Sequence, residues 1–245
     1  MNQVLDRGVA APLYKEVKRL LTHSLAQGEW KAGAALPSET QLAQRFGVSI
    51  GTLRKAIDEL VAEGAVVRRQ GRGTFIASHG ATRLMFHFFH IVPHEGEKQY
   101  PRTQTLDFRR ARAAAEEAAK LGLAAGDPVL RVRNLLSLGG APVILDELVL
   151  PQRLFPDLTE RILSARDNTI YHLYQTRYGV HVLRTGERLR ATLADAAAAK
   201  LLGLKKGAPL LEIDRIAYTY HDAPVELRRS LVNTTAHEYF SDLRK

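Results

Sequence analysis

Six basic side chains crowd one short stretch of this chain: Arg45, Arg54, Lys55, Arg68, Arg69 and Arg72. Hydroxyls at Ser49 and Thr52, the amide of Gln70 and glycines at Gly51, Gly71 and Gly73 lie among them. Such a mixture suits a polyanion, because cations and small hydroxyls bond phosphate oxygens, arginine can also take guanine, and glycine lets a backbone come close. A second set lies further on. Arg131 and Arg133 flank Val132, so on a strand they share the face opposite it. Asp146, Glu187 and Glu226 are candidate partners for them. That pattern reads either as a surface ion-pair set or as a pocket in which arginines meet the carboxylate or phosphate of a small anionic or hydroxylated molecule. Histidines at His87, His90 and His94 form a third set. On a strand His87 and His90 point to opposite faces, whereas chelation needs them together, so no metal site is expected. No nucleophile–base pair stands out, and no catalytic residue is assigned.

Composition narrows the field. The chain has 245 residues, 45% hydrophobic and 25% charged, which excludes disorder and collagen-like structure and allows one large domain or two ordinary ones. It has no cysteine, which removes disulfides, thiolate metal sites and a thiol nucleophile. No apolar run approaches the roughly 18–20 residues that span a bilayer. Residues 1–11 lack the apolar core of a signal peptide, so a soluble cytoplasmic protein without a membrane partner or cofactor is expected. Of the net charge of +9, +4 falls in residues 1–80. A basic balance of this size suggests a polyanionic partner without identifying it.

The elements that must carry the first set can be read locally. From Pro12 to Gln27 the apolar residues Leu13, Val17, Leu20, Leu21 and Leu25 recur at helical spacing. Ser38 followed by Gln41 is a capping box opening a short helix with Leu42, Ala43 and Phe46. Gly47 turns the chain, Ser49 caps a third helix bearing Leu53, Ile57, Leu60 and Val61, and Gly64 ends it. Val66–Arg69 and Thr74–Ile76 read as strands joined at Gln70–Gly73. Two helices across a tight turn, followed by this hairpin, make a winged helix-turn-helix. Its third helix fits a major groove, and Arg72 at the hairpin tip suits a minor groove.

Leu36-Pro37-Ser38-Glu39, Leu42-Ala43-x-x-Phe46-Gly47-Val48-Ser49, Thr52-Leu53-Arg54-Lys55-Ala56, Glu63-Gly64 and Gln70-Gly71-x-Gly73-Thr74-Phe75 together resemble the GntR family of bacterial transcriptional regulators. The resemblance implies contact with double-stranded operator DNA through Ser49, Thr52, Arg54, Gln70, Gly71 and Arg72. Arg45 and Lys55 join them as basic neighbours.

Residues 78–83 are small and polar enough to be a linker between a domain over 1–77 and another over 84–245. Leu84–Ile91 reads as a buried strand. Downstream, Leu121-Gly122-Leu123-x-x-Gly126-x-Pro128-Val129-Leu130-x-Val132 returns as Leu202-Gly203-Leu204-x-x-Gly207-x-Pro209-Leu210-Leu211-x-Ile213, and Ala141-Pro142-Val143 returns as Ala223-Pro224-Val225. Each copy opens on an Ala-rich helical stretch, 111–121 or 195–202, and continues into two strands joined near Gly139-Gly140 or His221-Asp222. A helix is expected from Asn168 to Tyr178 and another strand over Val180–Ala191. The sum is an α+β chain, an antiparallel sheet with packed helices behind the winged helix-turn-helix.

Arg131-x-Arg133, Pro142-Val143, Leu150-Pro151, Tyr178-Gly179-Val180 and Pro224-Val225-Glu226, with the repeated Leu-Gly and Gly-x-Pro motifs, are similar to the UTRA domain of HutC-type GntR regulators. That resemblance implies a chorismate-lyase-like fold that senses a small metabolite and mediates dimerisation. It carries effector contacts to Arg131, Arg133, Asp146, Thr169, Glu187 and Glu226, with Asp146 standing where relatives usually have Glu. The expected whole is a homodimeric, effector-modulated repressor on a palindromic operator. An enzyme built on the lyase-like domain and a ligand-independent DNA-binding protein are the alternatives.

Overall fold

A computed structural model describes residues 12–31, 33–77, 88–166 and 169–241. The chain divides into two compact units, residues 1–79 and 80–245. The expected linker over 78–83 lies outside the described residues.

In the first unit α1 (Leu13–Ala26) buries Val17, Leu20, Leu21 and Leu25, the stripe its spacing predicts. α2 (Glu39–Phe46) begins with the capping box: Ser38 Oγ accepts from the Gln41 amide at 3.2 Å, and Gln41 Oε1 accepts from the Ser38 amide at 2.9 Å. Gly47 ends it at φ 64°, a left-handed conformation that favours glycine over residues carrying a Cβ. α3 (Ile50–Ala62) then starts with Ser49 as its cap and buries Leu53, Ala56, Ile57 and Leu60. β1 (Val66–Arg69) and β2 (Gly73–Ile76) pair from Val66↔Ile76 to Arg69↔Gly73, leaving Gln70–Arg72 as the tip. The unit is a winged helix-turn-helix.

The second unit holds β3 (Ile91–Pro93), β4 (Arg102–Arg112), α4 (Ala115–Leu121), β5 (Pro128–Leu138), β6 (Ala141–Pro151), α5 (Glu160–Ser164), α6 (Ile170–Tyr178), β7 (Arg184–Leu193), α7 (Ala196–Leu202), β8 (Pro209–Tyr218), β9 (Pro224–Val232) and β10 (His237–Tyr239). Six strands form one antiparallel sheet in the order β4-β5-β6-β9-β8-β7, and β3 pairs with β10 as a separate ribbon. The repeat explains the order. β4-α4-β5-β6 and β7-α7-β8-β9 are two copies of one unit, which meet where β6 pairs with β9. Both helices end on a left-handed glycine, Gly122 and Gly203, and the loops bond alike: Gly126 N donates to Ala113 O at 2.9 Å and Gly207 N to Ala194 O at 2.8 Å.

Helices pack on both faces of the sheet, and its four inner strands, β5, β6, β9 and β8, bury side chains on both sides. On one face α5 and α6 bring Leu163, Tyr171 and Tyr174 onto Leu130, Val132, Leu148 and Leu150, while Ile91 of the ribbon packs with Leu136, Ile144, Ile213 and Val232. On the other, α4 covers Val129 and Val149 at one end, and α7 covers Leu145 and Leu210 at the other. Each fully buried side chain of this kind contributes about 1.5–3 kcal/mol.

Three local expectations need correction. The helix expected over 111–121 begins at Ala115; Ala111 and Arg112 belong to β4, where Ala111 pairs with Val129. Cross-strand pairing overrides the helix preference of alanine there. The strand expected over 180–191 runs over Arg184–Leu193. Of the strand expected over 84–91, Phe88 is helical and only Ile91 is extended; residues 84–87, His87 included, lie outside the described residues, as does Asn168.

Candidate nucleic-acid interface and effector cavity

The start of α3 presents its polar side outward. Ile50, Gly51, Arg54 and Lys55 are exposed while Leu53 and Ala56 face the core. Ser49 Oγ accepts from the Thr52 amide at 3.1 Å and lies 2.9 Å from Thr52 Oγ1, so both hydroxyls sit together at the helix end. Lys55 Nζ lies 4.2 Å from the centroid of the Tyr14 ring. Arg54 is 58% exposed and pairs with Glu39. Gln70, Gly71 and Arg72 are exposed at the hairpin tip, and no side chain among the described residues pairs with Arg72. Arg45 is held by Glu29 and packs near the Trp30 and Phe46 rings, and Arg68 by Asp58. Ile50 is a large apolar side chain exposed on the first helical position, suited to the methyl group of thymine.

In the second unit a cavity of about 480 Å³ opens between the sheet and the α5–α6 layer. Its inner wall is Asn134, Asp146, Arg215 and Arg228; its helical side is Arg166, Thr169 and Tyr171; and Phe88, Phe89, Tyr100 and Arg102 are among the other residues that line it. Asp146 is buried and accepts from Ser230 Oγ at 2.6 Å and Arg228 Nη1 at 3.2 Å. Behind the wall Glu226 is 0% exposed and accepts from Tyr171 OH at 3.0 Å, Tyr174 OH at 2.8 Å and Arg228 Nε at 2.9 Å. Burial, then the Glu226 charge, pushes Tyr171 up to about 12, and the same causes hold Tyr174 well above its ordinary value. Burial pulls against the charge on Arg228, but Glu226 and Asp146 outweigh it and its pKa is raised. Glu187 accepts from Arg215 at 2.5 Å and from the Tyr239 hydroxyl, and Arg215 Nη2 donates to the Phe88 carbonyl at 2.7 Å.

Arg166 differs from these. It lines the cavity and donates to the Leu163 carbonyl, yet among the described residues no carboxylate pairs with it. Burial lowers its pKa, the Tyr174 hydroxyl partly offsets this, and the nearby Arg228 adds to the lowering. A guanidinium withdrawn from water without a counter-charge is a site for an anion. Thr169 caps α6 beside it, its Oγ1 accepting from the His172 amide at 3.2 Å.

The grouping of Arg131 and Arg133 with Asp146, Glu187 and Glu226 is corrected by the strand register. A two-residue Gly139-Gly140 turn with an unbroken ladder would set Asp146 opposite Arg133. Instead Ser137 pairs with Pro142 and Leu136 with Ile144, so Val143 is an extra residue and Asp146 stands opposite Asn134. One extra residue moves every later side chain to the other face. Arg131 therefore lies on the α4–α7 face, bound by both oxygens of Glu117 at 2.8 and 2.7 Å, and Arg133 lies 3.5 Å from Glu147. That face carries a mixed-sign groove in which Arg190 and Arg229 also meet the carboxylate of Glu212. Asp146 and Thr169 reach the cavity; Glu187 and Glu226 stand behind it and hold Arg215 and Arg228. Arg131→Ala is thus expected to cost about 1 kcal/mol of stability. It should leave ligand binding in the cavity unchanged, which thermal unfolding with and without ligand will check.

Sequence reasoning missed Arg166, Arg215 and Arg228. The repeat held a usable signal: Arg215 and Arg228 occupy the positions of Asn134 and Asp146 in the other copy, and the oppositely charged equivalents Asp146 and Arg228 bond to each other at the sheet centre. Among the described residues no group of three or more His, Asp or Glu side chains is placed to hold a metal ion. None of the described helices is long and apolar enough to cross a membrane.

Comparison with known proteins agrees with both halves. The family described as "Bacterial regulatory proteins, gntR family" matches residues 13–76, and the UTRA domain matches residues 96–238. The chain is 30% identical over 227 residues to the "Probable fructoselysine utilization operon transcriptional repressor" of Escherichia coli (strain K12), covering 91% of this chain and 90% of that one. It is 27% identical to the HTH-type transcriptional repressor NagR of Bacillus subtilis (strain 168), covering 90% of each. Among solved structures, the ligand-binding domain of a GntR-family regulator from Bordetella bronchiseptica is 39% identical with a TM-score of 0.63, covering 64% of this chain and 98% of that one. PhnF from Mycobacterium smegmatis, at 24% identity and a TM-score of 0.53, shares the fold over 93% of this chain. These relatives are regulators and not enzymes. A winged helix-turn-helix that matches the gntR family model, joined in one chain to a UTRA domain, places this protein in the GntR family of bacterial transcriptional regulators.

Proposed function

We propose that this protein is a repressor that binds a palindromic operator as a homodimer and is modulated by a small anionic effector held in the cavity beside Arg166. The DNA-binding part spans residues 1–77, a linker covers 78–83, and effector binding and dimerisation belong to 84–245. Ser49, Thr52, Arg54 and Lys55 face the major groove, with Gln70, Gly71 and Arg72 on the wing and Arg45 as a neighbouring phosphate contact. Two half-sites are needed because one short helix reads only a few base pairs, and a dimer mirrors the operator's symmetry. The role of repressor is taken from relatives that carry that name.

The observation that carries the effector reading is Arg166, a cavity-lining guanidinium with no carboxylate partner among the described residues. An anion there meets Arg166, with Arg228 and Arg215 on the opposite wall, while Asp146 is left to accept from a hydroxyl or amine of the same molecule. The deciding experiment is thermal unfolding of the full chain against phosphorylated, carboxylated and neutral metabolites. At a hundred times its Kd a ligand stabilises the native state by about 2.7 kcal/mol. An anion in the cavity should raise Tm, and a neutral analogue should not.

The DNA reading has its own test. If Arg45, Lys55 and Arg72 of both protomers meet phosphates, about six cations are engaged and the plot of log affinity against log salt has a slope near −5. Fluorescence anisotropy on a duplex selected from a random library will measure it. A flat salt response would remove the basic surface from the interface.

A further inference from the structure

Glu39 opens α2 and stands between two other parts of the DNA-binding unit. Its Oε2 accepts from Arg54 Nε at 3.1 Å and from Arg54 Nη2 at 2.7 Å, and its Oε1 lies 3.7 Å from Arg68 Nη2. One carboxylate therefore touches both the recognition helix and the first strand of the wing. Burial is partial: Glu39 is 29% exposed and Arg54 is 58% exposed.

The shape of the guanidinium gives this contact a consequence. Arginine presents paired N–H donors along two edges, one through Nε and one across its end. Glu39 occupies the Nε edge. No side chain among the described residues bonds Nη1 on the end edge, and the two parallel donors of that edge match O6 and N7 of guanine. An unclamped arginine at this position could instead turn to a phosphate, where it would add affinity for every sequence equally. A carboxylate at a DNA-facing surface is itself repelled by phosphate. Glu39 thus weakens general binding while it fixes the pose of Arg54.

We propose that Glu39 is a positioning residue for operator specificity: it clamps Arg54 by its Nε edge so that the end edge reads a guanine in each half-site. This rests on the reading above that α3 enters the major groove, and the experiment separates the two.

A duplex selected by the wild-type full chain is compared with the same duplex carrying adenine at each guanine in turn, and with an unrelated duplex. In the wild type one guanine per half-site should be worth about tenfold in affinity. Glu39→Gln should cut that ratio to about threefold or less while strengthening binding to the unrelated duplex about twofold, since a charge repelled by phosphate is gone. A merely structural role would weaken all duplexes together. Glu39→Asp keeps the charge and shortens the reach, so it should lose the ratio without the gain in general binding. In an Arg54→Ala chain the ratio should be absent, and adding Glu39→Gln should not change it further. Loss of the ratio in Arg54→Ala but its full retention in Glu39→Gln and Glu39→Asp would overturn the role of Glu39 alone. Retention in Arg54→Ala would overturn the recognition-helix reading as well.

Discussion

Glu226→Ala is expected to lower the stability of the chain by about 3–5 kcal/mol, the scale seen when one partner of a buried ion pair is removed. Glu226 is 0% exposed and accepts hydrogen bonds from Arg228, Tyr171 and Tyr174 at once. Without it Arg228 keeps Asp146, at 3.2 Å, as its one ion-pair partner among the described residues, and two buried phenols lose these acceptors. Each buried donor left unmade costs about 1–3 kcal/mol, and the empty volume adds to it. Glu226→Gln keeps the volume and one acceptor, so it should fall between the alanine variant and the wild type. Denaturant unfolding followed by far-UV circular dichroism measures both. A loss below about 1 kcal/mol for the alanine variant would mean that the network does not anchor α6 to the sheet.

Arg166→Gln is expected to weaken effector binding by about 2–5 kcal/mol, which is roughly 30-fold or more, because it removes one side of a desolvated charge pair. Stability without ligand should hold or rise. Arg166 is held by no carboxylate among the described residues, and burial disfavours its charge, so the unliganded protein loses little when that charge is removed. The pairing of unchanged or higher basal Tm with a lost ligand-induced rise distinguishes a binding residue from a structural one. Arg228→Gln is a less clean test, since Arg228 also neutralises Asp146 and Glu226.

The two units were legible to very different degrees, and the reason is physical. Every signal for the winged helix-turn-helix is local. Ser38 and Gln41 are three residues apart, Gly47 makes its turn alone, and the 3.6-residue period of α3 shows which side of Arg54 and Lys55 is free. The repeat made the second unit's topology readable as well, because two copies of one helix-turn-strand pattern had to meet in one sheet.

What the sequence concealed was the register. A single bulge at Val143 decides that Asp146 shares a face with Arg228 rather than with Arg133, and no residue type announces it. The same bulge recurs in the second copy, where Tyr218 pairs with Pro224 and Ala217 with Glu226. β4 was hidden for another reason: Arg102–Arg112 is polar on both faces along an exposed sheet edge, so it lacks the alternation that marks a strand. Arg166 sits just beyond the short helix α5, where no periodicity says which way a side chain points.

The central claim is that an anion beside Arg166 governs operator binding, and co-titration tests it directly. Operator affinity of the full chain is measured by fluorescence anisotropy with and without the anion that raises its Tm, and again for Arg166→Gln. In the wild type that anion should change operator affinity about tenfold, a coupling of 1–3 kcal/mol, while the variant binds the same operator and does not respond. An equal response in the wild type and in Arg166→Gln would contradict the account.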